Sequence, residues 1–173
     1  MQTKQVYYED PYLKELECTV VSVEPSGNFI NIITDQTVFY PEGGGQPSDR
    51  GNLGNAKVEY VRISNGEIIH QVKGDIQTGK IVKAVLDWNW RYKYMQIHSA
   101  GHLIHDVLMT MVKGINPLKG GHGKKAFIEY QGEIDINLKE KLETEVNTIV
   151  QQGLEIVTKF STFDELCQTE AYR

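Results

Sequence analysis

Cysteine is scarce: only Cys18 and Cys167 occur, separated by most of the chain. That excludes a disulfide framework and every zinc pattern built on Cys-x-x-Cys pairs. Any metal site must therefore lean on histidine. Long hydrophobic runs are also missing, and none approaches the roughly 20 apolar residues that span a bilayer, so no transmembrane helix is expected. Met1 to Asp10 lack the basic-then-apolar order of a secretory signal, which makes the cytoplasm the expected location. No Gly-Lys-Ser/Thr follows a glycine-rich stretch, so no ATP-binding phosphate loop is read. Nor is there an excess of positive charge: 18 basic and 23 acidic residues give a net −5, which argues against a protein that coats nucleic acid non-specifically.

What is present is a chain of 173 residues, 40% hydrophobic, enough for a real core in one or two small domains. The charge is unevenly spread. Residues 1–90 carry 8 basic and 12 acidic side chains, residues 91–125 carry 6 and 1, and residues 126–173 carry 4 and 10. One basic stretch thus lies between two acidic ones, which suits a face that meets a polyanion.

From Leu16 to Asp87 the texture is that of short strands rich in β-branched residues. Strands are expected at Cys18–Glu24, Phe29–Thr34, Thr37–Tyr40, Ala56–Ser64, Glu67–Val72 and Lys80–Asp87, with Pro25–Asn28 and Ser64–Gly66 as turns. Many short strands separated by turns suggest a small β-barrel. Near Asp87 the period changes to that of one long helix, Asn89 to Val112, stopped by Gly114 and Pro117. Strands at Ala126–Tyr130 and Glu133–Ile136, a helix Leu138–Gln152 capped by Asn137, a strand Leu154–Lys159 and a last helix capped by Ser161 complete the expectation. That last helix has no terminal Gly or Pro, and the chain is expected to be a fragment.

Three histidines, His98, His102 and His105, sit inside the long helix. A spacing of four puts His98 and His102 one turn apart, so that both rings can reach one metal ion. Zinc proteases place a Glu after the first histidine of such a pair as general base. Here that position is Ser99, and the protease reading loses its catalyst. Upstream, Phe39-Tyr-Pro-Glu-Gly-Gly-Gly-Gln-Pro-Ser-Asp-Arg-Gly51 contains three glycines that leave the backbone open to a ligand or to another segment. Lys119-Gly-Gly-His-Gly-Lys-Lys125 reads as a mobile basic loop, either draped over a nucleic-acid backbone or simply exposed; its His122 is open to a metal or a substrate, although nothing in its spacing marks it as a ligand.

The glycine-rich segment, followed by Trp90-Arg-Tyr-Lys-Tyr-Met95 and His98-Ser-Ala-Gly-His-Leu103, resembles the AlaX alanyl-tRNA editing proteins. These are free-standing relatives of the editing region of alanyl-tRNA synthetase and are similar to the editing domain of threonyl-tRNA synthetase. The resemblance implies an α+β protein: an N-terminal small β-barrel carrying the Gly-Gly-Gly-Gln loop, residues 1–88, followed by an α/β editing domain of the threonyl/alanyl-tRNA synthetase type, residues 89–173. It implies hydrolysis of mischarged tRNA(Ala), chiefly Ser-tRNA(Ala), in trans. His98 and His102 match the first two zinc ligands of the family, and Gly43, Gly44, Gly45 and Gln46 match the motif beside its editing pocket.

The family completes its site with a later Cys-x-x-x-His, whereas Cys167 is followed four residues on by Ala171; the cysteine role is not transferred to Cys167. Ser99 is a candidate contact for the serine hydroxyl, and Arg91, Lys119, Lys124 and Lys125 are candidates for the acceptor stem of tRNA(Ala). Two other readings stay open: a tRNA- or partner-binding module that keeps the fold without catalysis, and a zinc hydrolase of small molecules.

Overall fold

The computed structural model describes residues 2–169. It is a mixed α and β protein. Ten strands run in the order β1 (Lys4–Gln5), β2 (Glu15–Ser26), β3 (Phe29–Thr34), β4 (Gln36–Thr37), β5 (Gly51–Leu53), β6 (Ala56–Ser64), β7 (Glu67–Lys73), β8 (Ile81–Leu86), β9 (Asn116–Gly121) and β10 (Phe127–Gln131). Helix α1 (Trp88–Met111) separates β8 from β9, and α2 (Lys139–Gln151) and α3 (Phe163–Leu166) follow β10. By contacts the chain divides into two compact units, one ending at Ile134 and the other beginning at Asp135.

In the first unit, six antiparallel strands join in the order β2-β3-β7-β6-β5-β8 and close into a barrel as β8 pairs with β2. Alternation explains the core. Along β7, Ile68, His70 and Val72 are buried while Glu67 and Lys73 face out, as the two-residue period of a strand requires. Val20, Ile32, Phe39, Leu53, Val58 and Val61 fill the same interior. His70 is a fully buried polar residue of that interior. Its Nε2 meets the Thr37 hydroxyl at 2.8 Å and its Nδ1 the Ile32 carbonyl at 3.1 Å, so its polar atoms are satisfied without water. The turn between β6 and β7 uses Asn65 and Gly66, both at positive φ, which matches the right-handed twist of the flanking strands.

Helix α1 begins where Asp87 accepts a hydrogen bond from the Trp90 amide at 3.1 Å, a side-chain cap on an otherwise unpaired N–H. Its first turns are fastened to the segment that follows the glycine run. Trp90 Nε1 donates to the Ser48 carbonyl at 2.9 Å, and the Arg50 guanidinium lies 3.7 Å from the centre of the Trp90 ring. Arg91 donates from Nε to both Asp49 oxygens at 3.0 and 2.9 Å, and from Nη1 to the Pro11 carbonyl at 2.8 Å. Its Nη2 reaches Val38 and Asp49 as well. Burial pushes the Asp49 carboxyl up from its ordinary value, against the pull of Arg91 and the Tyr40 amide.

This overturns one expectation. Arg91, read as an acceptor-stem contact, is 3% exposed and spends its donors on Asp49 and backbone carbonyls. No face of the guanidinium is left for a phosphate.

Several element expectations change too. The basic segment expected as a loop contributes its first three residues, Lys119 to Gly121, to β9, which pairs antiparallel with β10 across a bulge between Glu129 and Tyr130; pairing overrides the poor strand propensity of the Gly, Pro and Lys residues of β9. Of Thr37–Tyr40 only Thr37 is in a strand, as the end of β4, and Glu133–Ile136 forms no strand. In the second unit, Leu154–Lys159 is irregular. There Asp135, rather than Asn137, supplies the cap, to a 3-10 turn at Ile136–Leu138 that runs into α2. Thr162, rather than Ser161, caps α3, in a reciprocal capping box with Glu165. Ala171 and the end of the expected last helix lie outside the described residues.

Candidate metal centre

Three segments distant in sequence meet beside the barrel. The first is the glycine run. Gly43 and Gln46 exchange backbone hydrogen bonds at 3.2 and 2.9 Å, and between them Gly44 and Gly45 have φ of 57° and 76°. Two successive left-handed residues make a tight two-residue turn that side chains with a Cβ resist. The turn sends the Gln46 side chain, 6% exposed, towards α1.

The second segment is the middle of α1. Seven residues after the Arg91 anchor, and so on nearly the same face of the helix, stands His98. Its Nδ1 lies 2.8 Å from the Gln46 Oε1. An amide carbonyl only accepts, so Nδ1 carries the hydrogen and the lone pair of the ring stands on Nε2. One turn on, His102 places its own Nε2 at 3.2 Å from that of His98.

The third segment is the end of β9 with His122. The His122 amide donates to the Gly45 carbonyl at 2.7 Å, which ties β9 to the glycine turn. Its ring stacks on that of His98 with centroids 4.3 Å apart and an interplanar angle of 14°, and is 7% exposed. The close approach needs two glycines. A Cβ on Gly45 would stand 2.8 Å from the Gly120 carbonyl oxygen, and one on Gly101 would stand 2.6 Å from the His122 Cε1.

His98, His102 and His122 thereby bring one ligand atom each within 4.8 Å of the others. The donor set fits a zinc-type ion. Two imidazole nitrogens at 2.0–2.1 Å from one tetrahedral ion stand ~3.3 Å apart, and the His98 and His102 nitrogens are 3.2 Å apart. Burial holds the His98 ring below the ordinary imidazole pKa, with His122 and His102 adding to the effect; burial, then His102, does the same to His122. A neutral imidazole is the form that ligates.

Beside the cluster, α1 and β9 frame an open cavity of about 270 Å³ lined by His102, His105, Leu118, Lys119, His122 and Ile128, among others. The structure thus brings His98, His102, Gly44, Gly45 and Gln46 together. Ser99 is exposed on α1, Lys119 on β9, and Lys124 and Lys125 on the loop to β10. His122, which the sequence left unassigned, joins the cluster, since its place follows from strand pairing and the two glycines rather than from any local spacing.

A family model described as "tRNA synthetases class II (A)" matches residues 8–90. The chain is 39% identical over 165 residues to the alanyl-tRNA editing protein AlaX-L of Pyrococcus horikoshii, a match covering 89% of this chain and 40% of that protein. It is 35% identical over 164 residues to the alanyl-tRNA editing protein AlaX-M of the same organism, covering 89% of this chain and 73% of that protein. An AlaX-M of Saccharolobus solfataricus is 32% identical over 176 residues, with 94% and 70% covered. With two AlaX-M proteins matched at this identity along more than two thirds of their length, the chain belongs to the AlaX family of alanyl-tRNA editing proteins.

Proposed function

We propose that this chain is an aminoacyl-tRNA deacylase that hydrolyses mischarged tRNA(Ala), chiefly Ser-tRNA(Ala), in trans in the cytoplasm, with zinc held by His98, His102 and His122. The observation that carries this reading is the three-histidine cluster, with its first member oriented by Gln46. The names of its relatives, alanyl-tRNA editing proteins, supply the reaction class. In this reading residues 1–88 present the glycine turn and residues 89–173 carry the chemistry, as in the editing domains of threonyl- and alanyl-tRNA synthetases.

The chain's own residues divide the work. Gln46 fixes the tautomer and angle of His98, and Arg91 with Asp49 holds the helix that carries it. The Gly44–Gly45 turn lets backbone rather than side chains border the cluster, leaving space for an ester. A zinc ion held by His98, His102 and His122 would supply a Lewis acid for the ester carbonyl and lower the pKa of a water towards ~7. An aminoacyl ester is labile, so placing it accurately matters more than a strong side-chain acid or base. Ser99 contacts the serine hydroxyl and discriminates against alanine, because polar groups set for that hydroxyl are left unpaired by a methyl. Lys119, Lys124 and Lys125 meet phosphates of the acceptor stem.

The test is elemental analysis together with deacylation of Ser-tRNA(Ala) and Ala-tRNA(Ala). About one zinc per chain and selective release of serine are expected, and both are lost in His98→Ala. Protein that binds tRNA(Ala) yet holds no zinc and leaves the ester intact would instead be a binding module that keeps the fold.

A further inference from the structure

An aromatic ladder stands on the surface at the start of α1, several turns away from the histidine cluster. Trp88 and Tyr92, one turn apart on the helix, stack with ring centres 5.6 Å apart and planes inclined by 24°. Tyr12, from the segment before β2, adds a third ring 5.9 Å from that of Trp88. Tyr92 and Tyr12 keep much of their area in water, at 42% and 59% exposed, so the ladder adds little to the core. Lys14 Nζ lies 4.8 Å from the centre of the Trp88 ring. Neither Lys14 nor Lys93, the neighbour of Tyr92, has an ion pair among the described residues. The carboxylates beside Tyr12 and Lys14 in sequence are engaged elsewhere: Asp10 accepts from the Tyr12 amide at 2.9 Å, and Glu15 pairs with Lys83 at 2.7 Å.

We propose that this ladder stacks the unpaired base at which the 3′ strand of the tRNA leaves its acceptor helix, so that the strand runs along α1 from this platform to the ester. This rests on the reading of the chain as a deacylase and adds to it a holding point remote from the metal. His102 stands 14 positions after Trp88 on the same helix. At ~1.5 Å per residue and ~3.6 residues per turn, that is about 21 Å along the axis and only about 40° around it. A few nucleotides bridge such a span, since a strand advances ~3.4 Å per nucleotide when stacked and more when drawn out. Every base has a π face, so exposed rings accept one whatever the sequence. Lys14 and Lys93 meet the phosphates on either side of it. Inside a duplex both faces of a base are already covered, and the ladder therefore selects the single-stranded end over the helix.

The probe is a short single-stranded oligoribonucleotide ending in CCA, compared with the same strand made abasic at the position before CCA, each titrated into the full chain while tryptophan fluorescence is followed. The chain holds two tryptophans, and of these Trp88 belongs to the ladder, so stacking quenches the wild type and leaves Trp88→Phe unquenched. The abasic strand is expected to bind about tenfold more weakly, and so is the intact strand in Tyr92→Ala, whose melting midpoint changes little. Lys14→Ala is expected to reduce the slope of log affinity against log salt by about 0.7. In deacylation, Tyr92→Ala raises KM for Ser-tRNA(Ala) about tenfold with kcat changed less than threefold, and leaves the rate on seryl-adenosine, which has no upstream strand, unaltered. Equal affinity for the intact and abasic strands, or no quenching at millimolar strand, overturns the proposal even if the ester is hydrolysed. Quenching with the expected variant pattern but no hydrolysis upholds the platform and removes the deacylase reading instead.

Discussion

The ring of His122 lies against Gly101, one residue before His102, so closely that a Cβ there would stand 2.6 Å from Cε1 and 2.8 Å from Nδ1. Glycine inside a helix normally costs stability relative to alanine, by about 1 kcal/mol. Its place here is explained by the imidazole that it admits. Gly101→Ala is expected to keep or slightly raise thermal stability while weakening zinc binding at least about tenfold. Chelator competition and thermal unfolding on the same samples check both halves; unchanged zinc affinity removes His122 from the ligand set.

In the proposed site Gln46 would act on the metal through His98. Replacing it with leucine keeps the bulk and deletes the acceptor, so the His98 ring is free to rotate and change tautomer. A loss in zinc affinity of about 10–100-fold is expected, with the fold retained by circular dichroism. Gln46→Glu, which still accepts from Nδ1–H, is expected to recover most of the affinity.

Arg91 is a structural residue despite lying in the basic stretch. Arg91→Ala leaves the Asp49 carboxyl buried without its cation, and a loss of about 3–5 kcal/mol in urea unfolding is expected. Salt dependence of tRNA binding, measured on the fraction that folds, should keep its wild-type slope, because no phosphate contact is removed.

The core histidine makes stability depend on pH. Burial holds His70 neutral, with its pKa lowered to about 4 from 6.5. Below pH 6.5 the unfolded chain takes up a proton that the folded chain refuses, so the contribution is complete above that pH and declines as pH falls towards 4. The full loss is about 3 kcal/mol. The depressed His98 and His122 act in the same direction, so the decisive quantity is the difference between wild type and His70→Gln in urea unfolding at pH 7 and pH 4.5. The variant should show the shallower dependence.

Ser99→Ala is expected to reduce the preference for Ser-tRNA(Ala) over Ala-tRNA(Ala) by roughly tenfold or more, with zinc content unchanged. An intact preference in the two deacylation rates assigns the serine contact elsewhere.

What the sequence makes legible is local. The β-branched alternation of β2, β3, β6 and β7, the Asn65–Gly66 turn, and the four-residue spacing of His98 and His102 each follow from backbone periods of two or 3.6 residues. What it hides is decided at long range. β9 has a weak strand sequence and exists because β10 pairs with it. His122 becomes a third donor only after Gly45 and Gly101 let it in, and Arg91 looks like a surface cation until Asp49 is found 42 positions away in sequence.

The backbone bond from His122 to Gly45 joins residues 77 positions apart by number, and the His98–Gln46 bond spans 52. No short stretch of nascent chain can therefore assemble the cluster, since such closures come late in folding. A metal held by all three histidines would thus require the mature molecule: a chain whose barrel has not closed around the glycine turn offers two loosely held histidines, and only the finished one offers three. Binding of an ion there would draw the population towards the completed form by mass action.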